Sequence, residues 1–250
     1  MKDAHITMSK PYTKEALMEY IEAAESKGLA GITILEPTYK FKECQLLYRE
    51  ACATYPYQNQ WLQQQCQYSI IEYQNFITSM KQEEFPIEVL FGLEVSYFTQ
   101  HEDFIIQMKQ AYKYDVVIGV IHFLDNIAFG WNRYSHEMLW DKYNAGFLYR
   151  RYYEMMNALL TSGLFDGVAG FDSIKILQVP CSINTKHAYH KCAQLLAKHH
   201  MYVEDDASLD YRHHHPDRGL SAAFIAECKA LHVPVIRVSN ASKAEEIGLL

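Results

Sequence analysis

Short apolar runs rich in β-branched residues alternate with amphipathic segments along the whole chain. Residues 29–35 (LAGITIL) and 115–122 (DVVIGVIH) are typical of parallel strands that are buried on both faces. Ahead of the first of these runs, Leu17, Tyr20 and Ala24 recur at helical spacing, after Thr13 as a cap and before Gly28 as a stop. The pattern therefore predicts alternating strands and helices.

This alternation repeats about seven times, which predicts parallel strands joined by right-handed crossovers. The predicted strands are residues 3–7, 29–35, 87–93, 115–122, 167–172, 202–206 and 233–239. No Gly-x-Gly-x-x-Gly sequence follows the first strand, which disfavours an open dinucleotide-binding sheet. We predict one α/β domain over residues 1–250, a TIM-like barrel with a helical insertion at about 40–82 that Pro56 divides.

Polar residues follow most of the predicted strands. In barrels of this kind the chemistry lies at the carboxyl ends of the strands. The residues collected there are His5, Thr7, Glu36, Glu94, His122, Asp172, Glu204, Asp205, Asp206, Asn240 and Ser242. Histidine and carboxylate side chains are typical metal ligands. Glu94 and Glu204 also leave open a glycosidase with paired carboxylates, although no motif supports it.

Composition excludes several other classes of protein. The net charge is −7 without a basic run, which argues against a phosphate-backbone partner and hence against nucleic acid. No apolar run reaches the roughly 18 residues of a membrane span, and no basic-then-apolar leader is visible. We therefore expect a cytoplasmic protein with no membrane partner. The six cysteines form no Cys-x-x-Cys pair, and free thiols are expected. The oligomeric state stays open.

Four segments, in order, resemble motifs of the PHP (polymerase and histidinol phosphatase) family. They are residues 3–7 (DAHIT), 92–98 (GLEVSYF), 120–123 (VIHF) and 239–242 (SNAS), the last followed by 245–248 (EEIG). The length and the early insertion resemble the histidinol-phosphatase branch. The resemblance implies a distorted (βα)7 barrel holding two or three divalent metals. It also implies hydrolysis of histidinol phosphate to histidinol and phosphate, a step of histidine biosynthesis.

The resemblance also assigns site residues, and many expected ligands are replaced. The metal ligands that it implies here are His5, Glu94, His122 and Asp172. Positions where the family has a ligand are occupied by Thr7, Pro37, Ser96, Gly170, Asn240 and Ser242. Arg212 is the candidate for holding a substrate phosphate, since a guanidinium group suits phosphate geometry.

The remaining ligands leave two hypotheses open. The chain is either a hydrolase with one divalent ion (zinc, manganese or iron), or a pseudoenzyme without metal that binds a small phosphorylated ligand or a protein. A rewired multinuclear site would need replacement ligands from Glu36, Asp125, Asp205 or Asp206. No residue is assigned a catalytic role at this point.

Overall fold

Seven parallel strands form the centre of the protein in a computed structural model, which describes residues 1–250 apart from the side chain of Asn132. They follow each other around the sheet in the order β1-β2-β3-β4-β7-β8-β9, and a separate hairpin pairs β5 with β6. The strands are β1 (Lys2–Ile6), β2 (Gly31–Pro37), β3 (Glu88–Ser96), β4 (Val116–Val120), β5 (Phe123–Leu124), β6 (Ile127–Ala128), β7 (Gly167–Val168), β8 (Tyr202–Asp206) and β9 (Val235–Val238). The predicted single-domain (βα)7 barrel is confirmed.

The first and last strands of the sheet meet through a short junction. Ile6 bridges Ala241 in parallel, and the amide of Thr7 donates to the carbonyl of Ala241 at 2.8 Å. The buried carboxylate of Asp3 accepts from the amides of Ser239 at 3.1 Å and Gly248 at 2.9 Å. The Asp3 side chain therefore bonds to two points of the C-terminal segment beside this junction.

The helices surround this barrel. They are α1 (Lys14–Ser26), α2 (Arg49–Thr54), α3 (Pro56–Gln65), α4 (Ile70–Met80), α5 (Glu102–Ala111), α6 (Asn132–Ser135), α7 (Ala145–Ser162), α8 (Lys186–Lys198), α9 (Ser208–His213) and α10 (Ala222–Ala230). Thr13 caps α1 by accepting from the amide of Ala16 at 3.2 Å. Among the described residues, no helix has both the length and the apolar character needed to cross a bilayer.

The insertion after β2 packs onto the carboxyl ends of the strands. Pro56 stands at the first position of α3, where its missing N–H costs nothing. The buried side chain of Gln58 donates to the carbonyls of Ala51 and Asn126 and accepts from the amide of Ala128, each at 2.8 Å. This amide ties the insertion to the β5–β6 hairpin and so fixes one side of the barrel mouth.

Several predicted strands are shorter than expected, and one of these differences changes the site. The strand predicted over residues 167–172 ends at Val168, because the chain turns at Gly170 (φ 58°) into a 3-10 turn over Ser173–Lys175. Between the β5–β6 hairpin and α7, the chain forms a π-helical turn at His136–Trp140, and α7 begins after the Asn144 cap. The first difference decides where Asp172 lies.

Candidate functional site

A cavity of about 360 Å³ opens at the carboxyl ends of the barrel strands. Its lining combines acidic, imidazole and guanidinium groups with a large aromatic surface. The polar residues in the lining are Glu94, His122, Ser173, Asp206, Ser208, Arg212, His213 and Asn240. The aromatic residues are Tyr39, Trp61, Phe123, Phe129 and Trp131. This is the place where a TIM-like barrel carries its ligand site.

His5 lies beneath the cavity between two carboxylates. Its Nδ1 is 2.7 Å from Glu204 Oε2, and its Nε2 is 3.7 Å from Glu94 Oε2. Burial opposes protonation of the ring, but the charge of Glu204 and its hydrogen bond outweigh it and raise the pKa of His5 to about 10. At neutral pH His5 is therefore an imidazolium, paired with Glu204.

Glu204 is only half satisfied by this pairing. The side chain is 1% exposed, and among the described residues its Oε1 has no hydrogen-bond partner. Burial raises the pKa of Glu204 to about 7, against the favourable charge of His5. A buried oxygen without a partner is costly, so this position favours a positive charge or a proton nearby.

His122 faces the cavity from the end of β4. Its Nδ1 lies 3.0 Å from Ser96 Oγ, at the end of β3, where the resemblance expects an acid. Burial lowers the pKa of His122, and so does the positive charge of His5, against the opposing effect of Glu94. His122 is therefore a neutral imidazole at neutral pH.

Asp206 and Asn240 form a pair at the far side of the cavity. The amide group of Asn240 donates to Asp206 Oδ2 at 2.9 Å, and the backbone amide of Ser208 donates to Oδ1 at 2.8 Å. Asn240 has a left-handed backbone (φ 50°), which asparagine tolerates better than most residues. The Asn240 amide thus stabilises the Asp206 carboxylate with a hydrogen bond, where a carboxylate at position 240 would repel it.

Arg212 lines the cavity but is already paired. Its Nη2 lies 2.5 Å from Glu246 Oε2, an oxygen that also accepts from the amide of Ser242 at 2.9 Å. Burial opposes ionisation of Glu246, yet the Ser242 amide and the Arg212 charge lower its pKa overall. Ser242, at a replaced ligand position, therefore serves the bonding of the last turn.

Asp172 does not line the cavity. Its fully buried carboxylate accepts from the hydroxyls of Tyr153 and Tyr189, both at 3.1 Å, and from the amide of Ser221 at 2.8 Å. Lys175 Nζ lies 3.2 Å away. The turn that ends β7 early directs the side chain into this network, whereas the sequence predicted it beside His5 and Glu94.

Other replaced ligand positions carry ordinary structural contacts. The hydroxyl of Thr7 donates to the carbonyl of Leu35 at 3.1 Å, and Pro37 lies opposite Glu94 in the β2–β3 register. Gly170 lines the cavity with its backbone, close to the side chain of Ser173. None of these three side chains offers a donor that zinc or manganese prefers.

Three of the four candidate replacement ligands are paired away from the cavity. Glu36 accepts from the amide of Met8 at 2.7 Å and from Lys40 Nζ at 2.6 Å. On the surface, Asp125 pairs with Arg151 at 2.7 Å. The remaining acids are Asp205, which pairs with Arg237 at 2.7 Å, and Asp206, which alone of the four lines the cavity.

Comparison with known proteins assigns this barrel to a protein family. The family model described as "PHP domain" matches residues 4–208. The chain belongs to the PHP domain family. The match confirms the family that the sequence motifs indicated, and it covers the segments around residues 4–7, 92–98 and 120–123.

One curated relative matches part of the chain. A Deinococcus radiodurans protein assigned as a histidinol-phosphatase is 31% identical over 93 residues, 36% of this chain. That match spans only 35% of the length of the relative.

Two solved structures share the fold. A Listeria monocytogenes protein assigned as a histidinol phosphatase superposes with a TM-score of 0.73 at 12% identity, covering 99% of this chain and 97% of its own. The histidinol phosphate phosphatase of Lactococcus lactis was solved with zinc, L-histidinol and phosphate. It superposes with a TM-score of 0.66 at 13% identity, covering 96% of this chain and 85% of its own.

The donors present do not fit a PHP centre of two or three metals. Within the described part of the chain, no three or more histidine, cysteine, aspartate or glutamate side chains are arranged to hold an ion. His5 Nε2 and Glu94 Oε2 could share one ion, because ligands each about 2.1 Å from zinc lie within roughly 4.2 Å of each other. Two protein ligands make a weak site.

The aromatic surface of the cavity was missed by sequence reasoning. Trp61 comes from α3, Tyr39 from the turn after β2, and Trp131 from the loop after the β5–β6 hairpin. The Trp61 ring centroid lies 5.0 Å from that of Trp131 and 5.1 Å from that of Tyr39. The only signal in the sequence was the high aromatic content of the insertion, which equally suits helix packing.

Proposed function

We propose that this PHP barrel binds a small ligand in its strand-end cavity and hydrolyses phosphate esters weakly or not at all. The observation that carries the proposal is the reduced set of ligands: among the described residues, no three histidine, cysteine, aspartate or glutamate side chains are arranged to hold an ion. His5 Nε2 and Glu94 Oε2, 3.7 Å apart, are the pair that could share one, and two protein ligands make a weak site.

The chemistry of the family reaction supports the same proposal. Phosphate monoesters are among the slowest substrates to hydrolyse without a catalyst. Adjacent metal ions supply charge neutralisation and hydroxide near neutral pH, and a side-chain set reduced to His5 and Glu94 supports this poorly. Hydrolysis of histidinol phosphate at a rate typical of an enzyme is therefore not expected.

Internal cations support the idea that the barrel is stable without metal. Lys40 Nζ donates to Glu36 and to the carbonyl of Met8 at 2.5 Å, next to the ligand position that Pro37 occupies. In the same way, the imidazolium of His5 is the positive partner of Glu204. Glu36 and Glu204 thus each have a positive partner from the protein, which compensates for burying their charge.

Arg212 is the candidate contact for a phosphorylated ligand. It lines the cavity, and one of its amino groups is engaged by Glu246. The rest of the guanidinium fork could still donate to phosphate oxygens at the rim. The barrel would then bind a phosphorylated ligand, as in the family reaction, without hydrolysing it.

A single-metal hydrolase is the second candidate function. It is favoured by the hydrogen bond from His5 to Glu204, because metal-binding histidines commonly hold a carboxylate with their other nitrogen. His5 and Glu94 would hold the ion, and His122 would complete the set only after a rearrangement, because no three such side chains among the described residues are arranged to hold an ion. The ion would supply a polarised water when bound. Deprotonation of His5 is the condition for this arrangement.

Metal analysis combined with a phosphatase assay tests the proposal. The purified protein is dialysed with zinc or with manganese, its metal content is measured, and phosphate release from histidinol phosphate is followed. We expect less than stoichiometric metal and no release above the background. Stoichiometric metal with turnover that His122→Ala abolishes, and that the exposed control Arg150→Gln keeps, would overturn the proposal.

A further inference from the structure

The outer side of α8 is a patch of positive charge on an acidic protein. The chain has a net charge of −7, yet no aspartate or glutamate occurs from residue 173 to residue 203. Lys186, Lys191 and Lys198 are exposed on α8, and at about 100° per residue they lie within an arc of about 140°. Among the described residues, none of the three ammonium groups pairs with a carboxylate. These three residues form the lysine face of α8.

The neighbouring helix α10 leaves the lysine face accessible. It packs beside α8, and its one acid, Glu227, pairs with His190 at 2.8 Å. Four of its exposed residues are alanines: Ala222, Ala223, Ala226 and Ala230. Alanine loses no rotamer freedom on burial, so a second helix approaches α8 from this side without ordering large side chains.

Helix α1 has the opposite character. Glu15, Glu22 and Glu25 are exposed on one side of it, and among the described residues none of their carboxylates has a cationic partner. They form the glutamate face of α1, where Glu19 already pairs with Lys10. At 1.5 Å per residue, the three unpaired glutamates span about 15 Å of helix and the three lysines of α8 about 18 Å. The two faces therefore match in length and are opposite in sign.

The two faces lie on nearly opposite sides of the barrel. Helix α1 lies between β1 and β2 in the chain, and α8 lies between β7 and β8. Right-handed crossovers put both helices on the outside of the sheet. Around the barrel, β3 and β4 separate the two helices in one direction and β9 separates them in the other. The two faces therefore cannot meet within one molecule, whereas faces of two molecules can.

We propose that copies of this chain associate head to tail, with the lysine face of one copy against the glutamate face of the next. A second copy is the partner because the chain itself supplies both complementary faces. Opposite charges on two surfaces steer their encounter and fix which faces meet. An interface between two different faces does not close after two copies, so the assembly continues into a longer array or a ring.

Sedimentation velocity of the full chain at two salt concentrations tests the association. Raising sodium chloride from about 50 mM to about 500 mM shortens the Debye length from about 14 Å to about 4 Å. At the lower salt we expect a weight-average mass above the 29.1 kDa of one chain, rising with protein concentration. At the higher salt the dissociation constant should be at least about tenfold larger, because exposed charge pairs are screened. A single chain at both salt concentrations, or equal dissociation constants, would overturn the inference.

Two charge-reversed variants identify the faces. The first variant combines Lys186→Glu, Lys191→Glu and Lys198→Glu, and the second combines Glu15→Lys, Glu22→Lys and Glu25→Lys. Each variant alone should remain a single chain, since like charges then face each other. An equimolar mixture should associate again, because the reversed α8 of the first meets the reversed α1 of the second, and a misfolded variant would not regain this binding. Association of either variant alone, or no association in the mixture, would contradict the proposal.

A matched control separates the lysine face from net charge. The control combines Lys42→Glu, Lys113→Glu and Lys142→Glu, three exposed lysines outside α1 and α8, and changes the net charge by the same amount as the first variant. It should associate as the unmodified chain does. Loss of association in the control as well would assign the effect to overall repulsion and refute the proposed contact. Neither face lines the strand-end cavity, so these outcomes leave the proposed function to its own test.

Discussion

Replacing Asp172 by asparagine tests whether this residue is structural. The carboxylate is fully buried and accepts hydrogen bonds from Tyr153, Tyr189 and Ser221, with Lys175 Nζ at 3.2 Å. Asparagine has the same shape, but one end of it is an NH2 group. In one orientation that group faces the amide of Ser221, which can only donate, and in the other it faces Lys175 Nζ, so a favourable contact is lost together with the charge.

The expected cost is about 3 kcal/mol of unfolding free energy. A buried donor left without a partner costs roughly 1–3 kcal/mol, and breaking a buried ion pair roughly 3–5 kcal/mol. Lys175 Nζ still pairs with Asp217 Oδ2 at 2.7 Å in the variant, so the expected loss of unfolding free energy lies in the lower part of these ranges. With a urea slope of about 3 kcal/mol/M, the midpoint should fall by about 1 M.

Urea unfolding followed by circular dichroism measures this difference. The matched control is Asp125→Asn, which breaks an exposed pair with Arg151 and should cost at most about 1 kcal/mol. Lys175→Met should cost less in the Asp172→Asn background than alone, because the two groups are coupled. If Asp172→Asn matched the control in stability but lost bound zinc, Asp172 would be a metal ligand and the structural interpretation would be wrong.

Two further predictions concern the frame around the site. A Cβ at Gly92 would lie 2.0 Å from the carbonyl oxygen of Val116, so Gly92→Ala should lower the free energy of unfolding by more than about 4 kcal/mol. The control Gly28→Ala, where the space is open and φ is 69°, should lower it by only about 1 kcal/mol. Thermal melts of similar midpoint for the two variants would contradict the steric argument. Burial opposes ionisation of Glu50, but hydrogen bonds from His101 and Arg49 lower its pKa from 4.5 to about 2. The contribution of Glu50 to stability is thus full above pH 4.5 and is lost as the pH falls towards 2. Because Glu50 is partly exposed, Glu50→Gln should lower the free energy of unfolding by about 1 kcal/mol at pH 7 and by little near pH 2. Melting temperatures of both proteins between these pH values check this, and parallel curves would speak against the ion pair.

The fold was readily predicted because strands buried on both faces leave a strong pattern. Residues 202–206 were predicted as a strand and form β8 with these bounds. Thr13 caps its helix as expected, since capping needs only a side chain and an amide three residues apart. Both features depend on local chemistry.

The site was less predictable because it depends on turns and on distant segments. His5 and Glu94 converge simply because their strands end at the same edge of the barrel. Asp172 was expected beside them, but the left-handed backbone of Gly170 turns the chain away from the barrel edge before residue 172. The partnership of His5 with Glu204, and the aromatic surface around Trp61, join residues whose proximity no local pattern reveals.

The junction at Asp3 has a consequence for the order of events during synthesis. The amide of Ser239, to which Asp3 bonds, lies 236 positions further along the chain. Until that segment leaves the ribosome, β1 has β2 as its neighbour in the sheet and presents its other edge unpaired. Contacts of such long range form late, and open strand edges invite association between nascent chains. We therefore expect this barrel to depend on chaperone protection until residues 239–248 have been translated.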